Sequence, residues 1–269
     1  DQNPLPEPAK PEEPLSSEVT FDHVTFRYPG MEHPALDDVS FTVKPGTIVG
    51  LVGPSGGGKS TAAAMIPRFW DVQSGSVKIG GVDVRQMDSR DLMSRVAFVF
   101  QDTKLFKTSI LENIRMARPK ATIEEVKAAA KAARCDDILE KLPRGLDTVV
   151  GTQGVYLSGG EAQRIALARA ILKDAPIIVL DEASAFADPE NEALIQKAFE
   201  ELTKDKTVLM IAHRLSTIRN ANDILVMEKG KLAEWGSHEE LLAKGGLYAD
   251  MWKDYQQAAA WKVGKEEMI

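Results

Sequence analysis

The sequence predicts an α/β fold with a mostly parallel sheet, because apolar runs alternate with helical segments along the chain. Three runs, at residues 48–52, 177–180 and 207–212, are rich in β-branched residues and lack alternation of apolar and polar positions. Such runs are typical of strands that are buried on both faces of a parallel sheet. Helical periodicity lies between the first two runs, for example at residues 123–133, and completes the α/β order.

The composition is that of an ordinary globular protein. Of 269 residues, 43% are hydrophobic and 27% are charged, and the net charge of -7 argues against a basic nucleic-acid-binding surface. Cys135 is the single cysteine, which excludes an internal disulfide and a cysteine-based zinc site and predicts a buried or idle thiol. No stretch approaches 18 consecutive apolar residues, so the sequence predicts no membrane-spanning helix.

Residues 1–18 are predicted to form an extended linker. They include five prolines and almost no large apolar side chains, so they cannot bury enough surface to offset the entropy of ordering. Strand-forming residues begin at Val19 and recur at residues 41–43. The sequence also lacks an initial Met, and from this and the linker we expect it to be a segment of a longer protein.

A glycine-rich loop follows the first buried run and matches G-x-x-x-x-G-K-[S/T] without a gap. Glycines let successive backbone N–H groups point at an anion, and the helix expected from Thr61 presents further unpaired N–H groups. Lys59 is predicted to bind the β- and γ-phosphates of a nucleotide, and Ser60 to ligate Mg²⁺. A plain glycine-rich turn is the alternative. The predicted nucleotide-binding residues of this loop are Gly53, Pro54, Ser55, Gly56, Gly57, Gly58, Lys59, Ser60 and Thr61.

Two carboxylates, Asp181 and Glu182, follow the second buried run. Parallel sheets bind ligands at the carboxyl ends of their strands, so we expect both side chains at the site. Asp181 is suited to hold Mg²⁺ through water, because this ion keeps several waters and takes few carboxylates. Glu182 is placed to act as general base on an attacking water. A polar strand end is the alternative, and the glycine-rich loop favours the site.

A third motif, L-S-G-G-E-A-Q-R at residues 157–164, discriminates among proteins that share the first two. Ser158 and Glu161 have the spacing of a capping box at the start of a helix predicted over 162–173. A capped helix does not explain two glycines, which weaken its first turn unless something must approach closely. The segment closely resembles the signature of ABC ATPases, usually written L-S-G-G-Q, and the matching residues are Leu157, Ser158, Gly159, Gly160 and Glu161.

The resemblance implies a P-loop NTPase fold with a RecA-like core, an antiparallel β subdomain and an inserted helical subdomain at roughly residues 102–175. It places the ATP-binding domain at residues 19–258 and leaves a C-terminal tail at 259–269. ATP and Mg²⁺ are the implied cofactors. In this family two domains enclose two ATP molecules head to tail, each phosphate loop facing the signature of its partner, so one chain does not complete a site.

Further family landmarks occur in order along the chain. Tyr28 matches the aromatic residue that stacks on adenine, and Gln101 matches the glutamine that contacts Mg²⁺ and the attacking water and senses the transmembrane partner. His213 matches the histidine that contacts the γ-phosphate, and Asp188 matches the aspartate of the D-loop. Without the family context, a packed tyrosine at a strand end and a structural histidine would be the preferred interpretations of Tyr28 and His213.

Three departures from the family pattern bear on communication between subunits. The signature ends in Glu161 where Gln is usual, residues 185–188 read A-F-A-D in place of S-A-L-D, and residues 151–154 lack the Glu common in exporters. The carboxylate of Glu161 adds negative charge near phosphate. Because the phosphate-loop lysine, the acidic pair and the histidine are retained, we expect a site that can hydrolyse ATP.

The sequence resembles most the C-terminal nucleotide-binding domain of a half-transporter of exporter architecture. The segments that carry this resemblance are residues 68–71 and 154–155 and the heptad around His213. Residues 98–102, 113–117 and 183–192 are similar to transporters of the yersiniabactin type, which share that architecture and import metal-loaded siderophores.

The implied function is to power transmembrane transport by ATP-driven dimerisation and hydrolysis. The implied partners are an N-terminal transmembrane domain in the same full-length chain and a second nucleotide-binding domain, with no nucleic acid. The resemblance also implies a location at the cytoplasmic face of the cell membrane, which in bacteria is the inner membrane. Two other functions stay open: a regulatory cassette that binds ATP without useful hydrolysis, and a non-transport ABC ATPase that remodels nucleic acid or ribosomes.

Overall fold

The computed structural model describes residues 5–100, 103–151, 155–181 and 189–266. The chain divides into two compact units, one formed by the residues up to Ser89 and from Leu209 onward, the other by Arg90–Val208. Within the described ranges, no helix combines the length and the apolar character needed to span a bilayer.

The elements of the described chain follow the predicted α/β order. The strands are β1 (Val19–Phe26), β2 (Leu36–Val43), β3 (Ile48–Val52), β4 (Ser74–Ile79), β5 (Val82–Asp83), β6 (Val96–Val99), β7 (Ile177–Asp181), β8 (Thr207–Ile211), β9 (Asp223–Glu228) and β10 (Lys231–Gly236). The helices are α1 (Lys59–Met65), α2 (Ser89–Arg95), α3 (Ile110–Arg115), α4 (Ile123–Ala132), α5 (Asp136–Lys141), α6 (Gly159–Lys173), α7 (Pro189–Thr203), α8 (Leu215–Ile218), α9 (His238–Lys244) and α10 (Leu247–Glu266).

The first unit contains the predicted antiparallel part, a four-stranded sheet in the order β2-β1-β4-β5. β1 pairs antiparallel with β2 and with β4, and its four apolar residues are buried while the polar residues between them are partly buried or exposed. Phe21 of β1 lies directly opposite Phe41 of β2, and their rings stack with centroids 4.4 Å apart. Such cross-strand aromatic pairs fix the register of a sheet.

The three predicted buried runs form strands β3, β7 and β8, and the first two of these pair in parallel with a neighbour. In the first unit β3 pairs in parallel with β9, β10 adds an antiparallel edge, and β8 lies beside β3. In the second unit β6 pairs in parallel with β7, whose residues 177–180 are all buried. The phosphate loop, residues 53–58, therefore leaves the carboxyl end of a buried parallel strand, as the sequence predicts.

The helices of the second unit pack around α6. Helices α3, α4 and α7 all contact it, and α6 begins at Gly159, three residues before the predicted start, because Ser158 is its N-cap. Cys135, just before α5, is fully buried, and burial raises the pKa of its thiol to about 12. The predicted helical region, residues 102–175, falls inside this unit, and its bounds stay a prediction.

Residues 5–18 form neither helix nor strand, yet they are hydrogen-bonded to the first unit. The backbone N–H of Glu12 donates to the carbonyl of Gln86 at 2.8 Å, and Arg68 Nη2 donates to the carbonyl of Pro6 at 3.0 Å. In both bonds the group contributed by the predicted linker is a backbone N–H or carbonyl, so amino-acid composition does not predict them. At the other end α10 continues to Glu266, and the predicted linker and tail boundaries stay predictions.

Candidate nucleotide-binding site

The phosphate loop needs glycine at two positions where the backbone is both left-handed and crowded. Gly53 has φ 143°, and a Cβ there would lie 1.9 Å from the carbonyl oxygen of Met227. Gly58 has φ 101°, and its Cβ would lie 2.6 Å from the carbonyl oxygen of Ala35. Any other residue would displace the loop, since positive φ and this approach are open only to glycine.

The start of α1 is arranged to favour an anion. Gly58 is the N-cap of α1 and makes no side-chain capping bond, and the first turn carries no acidic residue. The N–H groups at the start of a helix have no partners within the helix, and the helix dipole adds positive potential there. With no side-chain carboxylate or hydroxyl at the cap, a phosphate can accept hydrogen bonds at this helix start.

Lys59 places its ammonium group over the same loop. Its Nζ donates to the carbonyl oxygens of Gly53 at 2.8 Å and Pro54 at 2.9 Å. These bonds fold the flexible side chain back along the loop, so its positive charge lies among the backbone groups that surround the predicted phosphate position. A lysine held in this way can exchange carbonyl acceptors for phosphate oxygens with little movement.

A cavity of about 570 Å³ in the first unit brings most of the predicted nucleotide-binding residues together. This volume is in the range of small-molecule sites. Pro54 belongs to the loop and contributes its carbonyl to Lys59. The predicted residues that line the cavity are Tyr28, Gly53, Ser55, Gly56, Gly57, Gly58, Lys59, Ser60, Thr61 and His213.

Tyr28 is held at this cavity by three neighbours. Its hydroxyl lies 3.1 Å from Thr61 Oγ1, and its ring meets Phe26 and Trp70 edge to face, with centroids 4.8 and 5.4 Å apart. Edge-to-face contacts of this kind are favourable and directional. Sequence reasoning named Tyr28 and Thr61 but did not connect them with Trp70, which lies in the segment between α1 and β4.

The remaining catalytic predictions fall at three places. His213 follows β8 and lines the 570 Å³ cavity. Asp181 is the last residue of β7 in the second unit, at the carboxyl end of a parallel strand. Gln101, Glu182 and Asp188, together with the departures at 152–154 and 185–188, lie outside the described residues, so their roles stay predictions.

The donor chemistry of Ser60 and Asp181 fits Mg²⁺. Ser60 is the second residue of α1 and directly follows Lys59, and Asp181 is the last residue of β7. Both offer hard oxygen ligands, which Mg²⁺ prefers, and few protein ligands suffice because the ion takes its others from phosphate and water.

The predicted capping box at the signature is present. The hydroxyl of Ser158 accepts a hydrogen bond from the backbone N–H of Glu161 at 3.2 Å, and Glu161 Oε2 accepts one from the backbone N–H of Ser158 at 2.9 Å. The carboxylate that departs from the usual Gln is therefore engaged with the backbone at the positive end of α6, where negative charge is favourable.

A buried arginine lies one turn further along α6. The side chain of Arg164 is 1% exposed and donates to both carboxylate oxygens of Asp137, at 2.6 and 3.0 Å. It also donates to the carbonyl of Arg134 and, at 2.8 Å, to Asn191 Oδ1 on α7. The guanidinium lowers the pKa of the Asp137 carboxyl through hydrogen bonding. Sequence reasoning missed this network, because no motif connects α5, α6 and α7.

Comparisons with known proteins identify the family of the chain. The family model described as "ABC transporter" matches residues 36–185. The chain is 51% identical over 247 residues to the mycobactin import ATP-binding/permease protein IrtA of Mycobacterium tuberculosis, covering 90% of this chain and 28% of that protein. It is 50% identical to the ATP-dependent lipid A-core flippase of Methylobacillus flagellatus, covering 87% of this chain and 40% of that protein.

A solved structure, described as a bacterial Atm1-family ABC exporter with ATP bound, matches with a TM-score of 0.84 at 42% identity. The match covers 91% of this chain and 43% of that one. It confirms the predicted P-loop NTPase fold, and with the sequence relatives it confirms the resemblance inferred from the signature. The family model matches more than half of the chain, and the chain therefore belongs to the ABC transporter family, of which it is an ATP-binding domain.

Proposed function

We propose that the chain binds ATP with Mg²⁺ and hydrolyses it to power a membrane transporter, after pairing head to tail with a second such domain. The observation that carries the proposal is the 570 Å³ cavity, where the phosphate loop, Lys59, Tyr28 and His213 converge. The chain spans 28% to 40% of the length of the two relatives described above, and their names combine ATP with a permease or a flippase.

Each residue has a distinct role in this mechanism. Tyr28 stacks on the base, the loop N–H groups bind the phosphates, and Lys59 moves from its carbonyl acceptors to phosphate oxygens. Ser60 and Asp181 would hold Mg²⁺, which would neutralise phosphate charge. Catalysis rests on positioning and charge neutralisation, because phosphoryl transfer needs little covalent help from the protein.

The second domain completes the site. Ser158 and Gly160 of that domain close over the γ-phosphate, and Glu182 accepts a proton from the attacking water while His213 contacts the γ-phosphate. Opening after hydrolysis resets the transporter. In this proposal the domain lies at the cytoplasmic face of the bacterial inner membrane.

The transmembrane domain of the same transporter is the second partner. In the second unit, a cavity of about 720 Å³ is lined in part by Phe100, Phe106 and Met116, which are 53%, 57% and 39% exposed. Charged residues, among them Asp181, also line it. Clustered exposed apolar residues are characteristic of interaction surfaces. We assign this face to the transmembrane domain, which precedes the ATP-binding domain in the full-length protein that we propose.

Removal of Mg²⁺ tests the hydrolytic function. The chain is expected to release phosphate from ATP in the presence of Mg²⁺ and to lose that activity in EDTA, because the phosphate charge is no longer neutralised. Readdition of Mg²⁺ is expected to restore the rate. Self-association with ATP but no phosphate release would favour the regulatory cassette. Stimulation of the ATPase by RNA or DNA would favour the non-transport alternative.

Replacement of Trp70 by alanine tests base recognition. We expect ATP to bind up to about tenfold more weakly, because an aromatic contact worth about 0.5–1.5 kcal/mol no longer orients Tyr28. The affinity for inorganic tripolyphosphate, which has no base, is expected to stay unchanged. Trp235, which is 40% exposed on β10, supplies the matched control as Trp235→Ala. Equal losses for ATP and tripolyphosphate would contradict the role of Trp70.

A further inference from the structure

We propose that Asn191 is a positioning residue for the signature motif: its side chain packs against Gly160 and is fixed there by the buried Arg164. The inference rests on the proposed function, in which the signature acts on the nucleotide of a second domain. Its basis is a chain of contacts within the second unit that runs from Asp137 through Arg164 and Asn191 to Gly160.

The first contact explains a glycine that helix capping leaves unexplained. A Cβ on Gly160 would lie 3.1 Å from both Cβ and Cγ of Asn191 and 3.4 Å from Oδ1. Carbon atoms in ordinary contact are about 3.5–4.0 Å apart. The close approach that Gly160 permits is therefore made by the Asn191 side chain of the same chain, independently of any bound nucleotide.

The second contact limits how far Asn191 can move away. Its Oδ1 accepts a hydrogen bond from Arg164 Nη2 at 2.8 Å. The same Nη2 also donates to Asp137 Oδ2, while Nη1 donates to Asp137 Oδ1 and to the carbonyl of Arg134, so the guanidinium is anchored at both of these nitrogens. A bidentate bond fixes orientation as well as distance, so the amide of Asn191 is held in one position.

The position of Asn191 in the chain gives this arrangement a mechanistic consequence. It lies in the first turn of α7, and this helix directly follows residues 182–188. That segment includes Glu182, the predicted general base, and Asp188, the predicted D-loop aspartate. Gly160 lies in the first turn of α6, which carries the signature. One anchored side chain thus sets the start of both helices, and loss of the anchor is expected to slow catalysis without altering the nucleotide cavity of the first unit.

The test compares two substitutions of similar size. Asn191→Leu fills the same space but offers no acceptor to Arg164, whereas Asn191→Asp keeps an acceptor oxygen. We expect N191L to lower the kcat for ATP at least about tenfold, as expected when about 1.4 kcal/mol of transition-state stabilisation is lost. N191D is expected to retain most of the kcat. ATP affinity, measured by titration of the same proteins, is expected to be unchanged in both.

A double-mutant cycle tests the packing independently. Gly160→Ala and Asn191→Ala are each expected to lower kcat, and the double variant is expected to lose less than the product of the two effects, because Asn191→Ala vacates the space that the added methyl group needs. We expect a departure of at least about threefold from the product of the single effects, since contacting residues couple by about 0.5–3 kcal/mol. Independent effects, or equal kcat values for N191L and N191D, would overturn the proposal.

Two controls separate this inference from the proposed function. If the unsubstituted chain neither binds nor hydrolyses ATP, the proposed function fails. If it hydrolyses ATP and N191L is indistinguishable from it, only the role of Asn191 fails. Thermal unfolding of each variant identifies loss of folding. If N191L does not fold, the double-mutant cycle of Gly160→Ala and Asn191→Ala tests the role of Asn191, with N191D as the folded reference.

Discussion

The variant Glu182→Gln is expected to turn over ATP about 100-fold more slowly, or slower still, while it binds ATP with unchanged affinity. A positioned general base contributes about 10²–10⁴-fold to a rate, and glutamine keeps the shape of glutamate but cannot accept the proton. Glu182 directly follows Asp181, which ends the buried parallel strand β7. Steady-state phosphate release gives kcat, and equilibrium titration gives the affinity.

A matched control uses the same chemical change at an exposed position. Glu200 lies on the exposed face of α7, so Glu200→Gln removes one carboxylate without touching the proposed site. Its kcat is expected to equal that of the unsubstituted chain. Equal rates for Glu182→Gln and the unsubstituted chain would remove Glu182 from the mechanism.

Replacement of Lys59 by alanine is expected to weaken ATP binding about 10- to 100-fold, because hydrogen bonds to charged groups contribute about 1.5–3 kcal/mol. The ammonium already lies over the loop, within 2.8–2.9 Å of two backbone carbonyls, so its removal withdraws charge from the phosphate position. Both ATP and inorganic tripolyphosphate are expected to lose affinity, in contrast to the selective effect of Trp70→Ala.

The matched control for this change is Lys44→Ala, which removes the same charge from an exposed residue of the first unit. It is expected to leave both affinities unchanged. If Lys59→Ala binds ATP as tightly as Lys44→Ala does, the glycine-rich loop is a turn and not a phosphate site.

The parts of the fold that the sequence predicts well are those encoded over short stretches. The apolar run at 48–52 and the glycines after it are contiguous, and strand, loop and helix follow from local preferences. The capping box at Ser158 is likewise a pattern of four residues. For these elements the residue types alone restrict the backbone to one arrangement.

The contacts that sequence reasoning missed join distant positions through unremarkable residues. Asn191 and Asp137 each lie 27 residues from Arg164, and no sequence pattern connects either of them with it. Trp70 lies far along the chain from Tyr28, and the bonds from residues 5–18 use backbone groups. Pairings of this kind are set by the packing of whole elements, which a linear pattern does not specify.

The chain is about equally similar to relatives named for different transport processes. Identity is 51% to a protein named for mycobactin import and 50% to one named as a lipid A-core flippase. Similarity in this domain therefore extends to transporters whose names differ in cargo. The substitutions proposed above examine that shared part directly.

Burial of Cys135 makes the chain suitable for site-directed labelling. It is the single cysteine, it has no exposed surface, and its pKa is about 12. At neutral pH the thiol therefore stays protonated, and only the thiolate reacts readily with labelling reagents. Cysteines introduced at exposed positions can then carry fluorophores or spin labels without removal of the native thiol, so distances between two domains can be followed during a turnover cycle.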